Sequence, residues 1–185
     1  MRWQDIDQQV CAIARTLSIV GDRWTLLIVR DAFLGTRRFA DFQRQLDISR
    51  HRLADRLEKL VTAGVMERRP YQERPVRHAY HLTQMGIELY PVMLSLARWG
   101  NDWLDDGSGP PVEYVHRACG KIMQAELHCS ECEAPLNPHD VIPIIGPGLR
   151  TALARRGGTG EAENRLPPTL REELLAERRK DLQGG

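Results

Sequence analysis

Two groups of residues in this 185-residue chain have the types and spacing to do chemistry. The first is basic. Ser49, Arg50, His51, Arg52, Arg56 and Lys59 fall on one short segment, and Arg68, Arg69, Arg74 and Arg77 follow close behind. Arginine is the side chain best suited to bidentate hydrogen bonding with guanine and with phosphate. The second group is His116-x-x-Cys119 and, nine residues on, Cys129-x-x-Cys132. Two such pairs across a short loop can close a tetrahedral zinc site of one imidazole and three thiolates. His128 and His139 are alternative ligands, and a Cys129–Cys132 redox pair or plain packing are the competing uses.

The basic residues need elements to carry them. Phe39, Phe42 and Leu46 recur at helical spacing, Asp47-Ile48 makes a turn, and Ser49 stands where a helix cap belongs. Leu53, Leu57 and Leu60 then mark the buried stripe of a second helix. At 100° per residue the stripe sends His51, Asp55 and Lys59 to the opposite face, with Arg52 beside them. Ser49 and Arg50 occupy the first turn, where free N–H groups suit a phosphate. After Gly64, residues 65–69 and 76–82 alternate as two strands, with Pro70 and Pro75 bracketing the basic connection. Two helices, then an arginine-bearing hairpin, is the layout of a winged helix-turn-helix.

That layout predicts a recognition helix in the DNA major groove, read through Ser49, Arg50, His51 and Arg52, with Arg38 and Arg56 nearby and Arg74 and Arg77 on the backbone. Asp55 and Glu58 would be repelled by phosphates, which confines contact to the first two turns. Charge placement agrees. Net charge is only +1, but residues 37–82 hold eleven Lys/Arg against six Asp/Glu.

Upstream, apolar residues at 13, 14, 17 and 20 predict one helix, and the almost wholly apolar run from Trp24 to Leu34 predicts a core helix closed by Gly35. Downstream, Thr83 caps an expected long helix carrying Leu89, Val92, Leu96, Trp99 and Trp103. Its apolar surface exceeds what one small domain needs, so it is assigned to dimerisation; two-fold operators require paired recognition helices. The domains expected are a winged domain over 1–106, a Gly/Pro linker at 107–111, a Cys/His segment at 112–148 and a tail at 149–185. The tail begins with an unstructured Arg155–Pro168 stretch and ends in a charged helix. The fold class is mainly α (α+β) with a small zinc-ribbon-like appendage.

At this point the residues resemble a known family. The run from Cys11 to Asp31 is similar to the opening of HxlR-type regulators, which are related to the MarR group. Arg38-Phe39, Ser49-Arg50, Leu53-x-x-Arg56-Leu57-x-x-Leu60, Gly64 and Tyr80-x-Leu82-Thr83-x-x-Gly86 continue the resemblance in order over about residues 9–104. The resemblance implies a homodimeric winged-helix regulator of transcription that binds double-stranded DNA. It also implies two signal routes. Cys11 matches a position where many members sense oxidants or electrophiles, and Trp24, Trp99 and Trp103 could line an effector pocket near the dimer interface.

Other classes are disfavoured. The chain has no Gly-rich phosphate loop and no Gly-x-Ser-x-Gly, so an enzyme is not expected. A zinc site with four protein ligands leaves no open position for catalysis. No apolar run approaches a membrane span and the N-terminus lacks a secretory pattern, so a cytoplasmic protein is expected. A winged-helix adaptor that binds protein without DNA is the different-class alternative.

Overall fold

A computed structural model describes residues 3–155 and 166–183. Of the stretch expected to be unstructured, residues 156–165 lie outside the described residues, whereas Arg155 and Pro168 at its ends fall in helices. Two compact units are present, Met1–Asp7 with Ile13–Glu126, and Gln8–Ala12 with Leu127–Gly185.

The larger unit is a winged helix-turn-helix. Its elements are α1 (Ala12–Val20), α2 (Arg23–Phe33), α3 (Phe39–Leu46), α4 (Arg50–Thr62), β1 (Met66–Glu73), β2 (Val76–Leu82), α5 (Gln84–Ile87), α6 (Tyr90–Leu104), β3 (Tyr114–His116) and β4 (Lys121–Met123). Ile28, Val29 and Ala32 of α2, Phe42 of α3 and Leu53, Leu57 and Leu60 of α4 are fully buried in one core. The i, i+4, i+7 spacing of the leucines puts all three on one side of α4, and that side must face α2. Asp47, at φ 46, makes the left-handed turn between α3 and α4.

Helix ends follow their sequence signals with one exception. Asp22 caps α2, accepting from the N–H groups of Trp24 and Thr25. Gly64, at φ 75, ends α4: it donates to Val61 O and Val65 donates to Leu60 O, closing the last turn in a Schellman pattern. Thr83 caps α5 by accepting from Gly86 N. Ser49 is the exception. It occupies the N-cap position of α4 in extended backbone, yet its hydroxyl makes no cap hydrogen bond.

Two expectations need correction. The helix predicted from Thr83 onward is two helices, because Pro91 sits in the first turn of α6 and cannot donate back to a continuing α5. The first wing strand is also longer than predicted. β1 runs through Pro70 to Glu73 and pairs antiparallel with β2 from Met66 opposite Leu82 to Glu73 opposite Val76, with an irregularity between Pro70 and Gln72. In a two-stranded ribbon every strand has an outer edge, so a residue without an N–H is tolerated there.

The larger unit also runs on past the linker expected at 107–111, as far as Glu126. Arg98 of α6 explains this: its guanidinium donates to Ala125 O at 2.8 Å and ion-pairs with Glu126 at 3.9 Å, holding the β3–β4 hairpin to the winged domain. In the smaller unit, α7 (Pro147–Arg155) and α8 (Pro168–Gln183) accompany buried Ile145 and Leu153, and Ile145 N donates to Glu173 at 2.7 Å.

Because Leu57 is fully buried between α4 and α2, Leu57→Ala should cost about 2–5 kcal/mol of stability, read as a lowered midpoint in denaturant with unchanged slope.

Candidate nucleic-acid interface

The arginines expected at the interface separate into two populations. Arg38, Arg50 and Arg77 line one cleft of about 610 Å³ together with Phe39, Tyr71, His78 and Tyr80. Backbone pairing sets this cleft. Arg38 bridges antiparallel to Ala79 and Arg37 O accepts from Tyr80 N at 2.8 Å, so the residues before α3 form a third edge beside β2. The Arg38 guanidinium then lies over the Tyr71 ring at 4.7 Å, and that of Arg50 over Phe39 at 5.4 Å. Stacking of this kind orients a guanidinium while leaving its N–H edge available. Arg52, Arg74 and Arg77 are exposed and make no ion pair among the described residues.

Arg56 belongs to the other population. It was expected at the DNA surface, but its Nε and Nη2 bond Asp22 Oδ1 and Oδ2 at 2.9 and 3.2 Å. One carboxylate thus caps α2 and grips α4. Burial pushes the Asp22 carboxyl up, but the hydrogen bond and charge of Arg56, with the N–H groups of Trp24 and Thr25, outweigh it and hold the group below its usual range. Arg37 is structural too, donating to the carbonyls of Ala32 and Thr36.

The acids of α4 have partners as well. Asp55 lies 3.0 Å from His51 Nδ1, and Glu58 pairs with Arg68, whose guanidinium also stands 5.9 Å from the Tyr80 ring. His51 is therefore shared between an intrahelical carboxylate and any outside contact. Tyr71 and His78 were missed by the sequence reading. Their signal was an aromatic and an imidazole inside an arginine-rich hairpin.

The other predicted sites are placed as follows. Cys11 is exposed just ahead of α1. Trp24 packs against the core, while Trp99 and Trp103 are exposed on α6. None of the three lines the apolar pocket of about 490 Å³ formed by Leu26, Leu27 and Phe33 of α2, Tyr90 and Met93 of α6 and Tyr114. His116 and Cys119 stand together on the β3–β4 turn, Nδ1 to Sγ 3.5 Å apart, and Cys129 and Cys132 share a second turn. Backbone N–H groups of Glu131 and then Cys132 hold the Cys129 thiol below its ordinary value. Among the described residues no group of three or more His, Cys, Asp or Glu is gathered for a metal ion.

The comparisons with known proteins agree with this geometry. Residues 19–108 match the model of the HxlR-like helix-turn-helix family. The HTH-type transcriptional regulator Rv3095 of Mycobacterium tuberculosis is 41% identical over 143 residues, covering 77% of this chain and 90% of that protein. The HTH-type regulator sll1512 of Synechocystis is 34% identical over 100 residues, covering 54% and 74%. Among solved structures, PA1607, a proposed transcription factor, superposes with a TM-score of 0.66 at 35% identity, covering 73% of this chain and 94% of its own. PA1374 of Pseudomonas aeruginosa, also a proposed transcription factor, gives 0.56 at 34% identity, covering 79% and 99%. The chain belongs to the HxlR-like helix-turn-helix family. It is a transcriptional regulator, and the family is not one of enzymes. No helix among the described residues is long and apolar enough to cross a membrane.

Asp22→Ala should lower stability by about 1–2 kcal/mol, the usual cost of losing an N-cap side chain. The sign with pH is fixed by the lowered carboxyl: its contribution is present above the unfolded-state pKa and is lost as pH falls through the folded one. Melting curves of wild type and Asp22→Ala should therefore converge in acid.

Proposed function

We propose that the chain binds double-stranded DNA as a homodimer, each protomer setting the first turn of α4 in the major groove and its wing on the backbone. The observation that carries this reading is the shared cleft, in which Arg38, Arg50 and Arg77 from three separate elements converge beside two stacked aromatic rings. A solvated charged face would not need its guanidiniums stacked and aimed together. The uncommitted Ser49 hydroxyl and exposed Arg52 extend the same surface along the start of α4. Arg50 and Arg52 are assigned to base edges, with Ser49 and His51 beside them; Arg38, Arg74 and Arg77 are assigned to phosphates.

Dimerisation is supported by α6. None of its residues is buried within the chain, and Val92, Leu96, Trp99, Trp103 and Leu104 are all at least 45% exposed. Ile13 and Leu17 of α1 are exposed as well. Apolar surface of this extent marks an association face, and a second copy is the occupant a two-fold operator requires. For the signal, the pocket beside α2 and α6 is a better candidate than the tryptophans, because it is concave and apolar with Arg30 and Glu113 at its wall. Exposed Cys11 keeps the thiol route open.

Arg50→Ala and Arg52→Ala should each weaken binding to the chain's own operator by about 1–3 kcal/mol and relax its sequence preference. Arg74→Ala should weaken all duplexes alike and shallow the salt dependence by about one phosphate contact. Equal affinity of all three variants and wild type would favour the adaptor without DNA. Leu96→Glu should shift the chain to monomer in sedimentation, with loss of operator binding and retention of fold.

A further inference from the structure

α2 is apolar on two faces, and the core takes only one of them. Ile28, Val29 and Ala32 are fully buried in the core. Leu26, Leu27 and Phe33 stand half-buried on the opposite side, with Arg30 between them. α6 presents a matching face. Tyr90, Met93, Leu94 and Ala97 recur at i, i+3, i+4, i+7 and line the same pocket of about 490 Å³. Val92, Trp99 and Trp103 fall on the other side of α6. The pocket is therefore distinct from the face assigned to dimerisation, with Leu96 at the margin common to both. The third wall lies beyond the family-matched residues 19–108. Residues 112–115 reach the pocket because Arg98 donates to Ala125 O at 2.8 Å and holds the β3–β4 hairpin against α6. Tyr114 thereby joins Phe33 and Tyr90, whose ring centroids are 4.9 Å apart. A volume of this size with aromatic and apolar walls suits a small molecule with a bulky apolar body.

The charges at the wall decide the sign of that molecule. Arg30 and Glu113 are the two charged residues that line the pocket. Arg30 is already committed. Its Nε and Nη2 both reach Asp31 Oδ1 at 2.8 Å, and Asp31 is buried. An anionic ligand would have to compete with that carboxylate for the guanidinium. Glu113 is exposed and makes no ion pair among the described residues. The wall thus carries one uncompensated charge, and it is negative. The faces of Phe33, Tyr90 and Tyr114 add to the preference, since an aromatic quadrupole attracts a cation.

We propose that this pocket binds a lipophilic organic cation, an aromatic or bulky apolar body carrying one positive charge, with Glu113 as its counter-charge. The proposal rests on the reading of the same pocket as the receiver of the signal, and it names the class of molecule received. Apolar area supplies most of the affinity, as in small-molecule sites generally. Glu113 sets the sign: a cation is attracted to it, whereas an anion of the same shape is repelled and finds the Arg30 guanidinium satisfied. The hairpin contributes both Glu113 and Tyr114, so selectivity for the ligand is carried by the segment that Arg98 ties to α6.

The test uses the full chain and two probes of matched shape and opposite charge, tetraphenylphosphonium and tetraphenylborate, titrated calorimetrically in sodium buffer without DNA. Wild type should bind the phosphonium several-fold more tightly than the borate. Glu113→Gln should weaken the phosphonium by about two- to fivefold, the usual worth of an exposed charge pair. Glu113→Lys should reverse the preference, a gain that no folding defect produces. Ala97→Phe, which fills the pocket, should remove binding of both probes. A wild-type chain that takes up no phosphonium overturns the proposal, as does one that binds the borate equally or better, or a preference untouched by Glu113→Lys. A second arm adds the chain's own operator. Release of the operator by the phosphonium supports the pocket as receiver of the signal. An operator complex indifferent to the bound cation overturns that receiver reading and leaves the ligand class standing.

Discussion

The rotation of α4 about its own axis is the constraint on which the larger unit depends. Leu53, Leu57 and Leu60 are each fully buried, and a helix can satisfy three such residues at i, i+4, i+7 in only one orientation. That orientation sends Arg50 and Arg52 outward together. The Asp22–Arg56 pair then secures the same helix from its flank. A side chain at the edge of the stripe reaches back to the N-terminus of α2 and is lost to any outside partner. One carboxylate both caps α2 and holds α4 against it.

This arrangement divides the basic residues by geometry rather than by sequence density. Arg37 and Arg56 bind the protein's own carbonyls and carboxylate, and Arg68 neutralises Glu58. What remains outward is a smaller set in which Arg38 and Arg50 are stacked on rings of neighbouring elements. Stacking reduces the rotamer freedom that a long side chain would otherwise surrender on binding, which favours specific over diffuse contact. The small net charge of the chain suits the proposed reading: with the basic excess in residues 37–82, attraction to phosphate would be local and not spread over the surface.

Much of this was legible in the sequence because it rests on local periodicity. The stripe of α4, the cap at Thr83, and the glycine stops at Gly35 and Gly64 each follow from residues within a turn or two of one another. The failures share the opposite property. Asp22 and Arg56 are 34 residues apart, so no local pattern distinguishes Arg56 from the arginines beside it. The cleft depends on Arg38 pairing with Ala79, a contact between segments with no shared periodicity. The break at Pro91 went unread for a different reason: the apolar spacing continues across it, and the missing N–H was the only mark of the helix start.

The exposed apolar residues press the argument furthest. Within the chain, the 15-residue α6 buries no residue fully: Met93 packs against the core, but Trp99 and Trp103 stay exposed. A helix of that length is marginal in water without packing on one face. The hairpin that Arg98 ties to its flank leaves the tryptophans uncovered, and this exposed face is what the proposed dimer would cover. A second copy of the chain can cover α6, because its exposed residues form one helical face. No such face exists between Pro111 and Ile144, where apolar residues are scattered along turns and short strands.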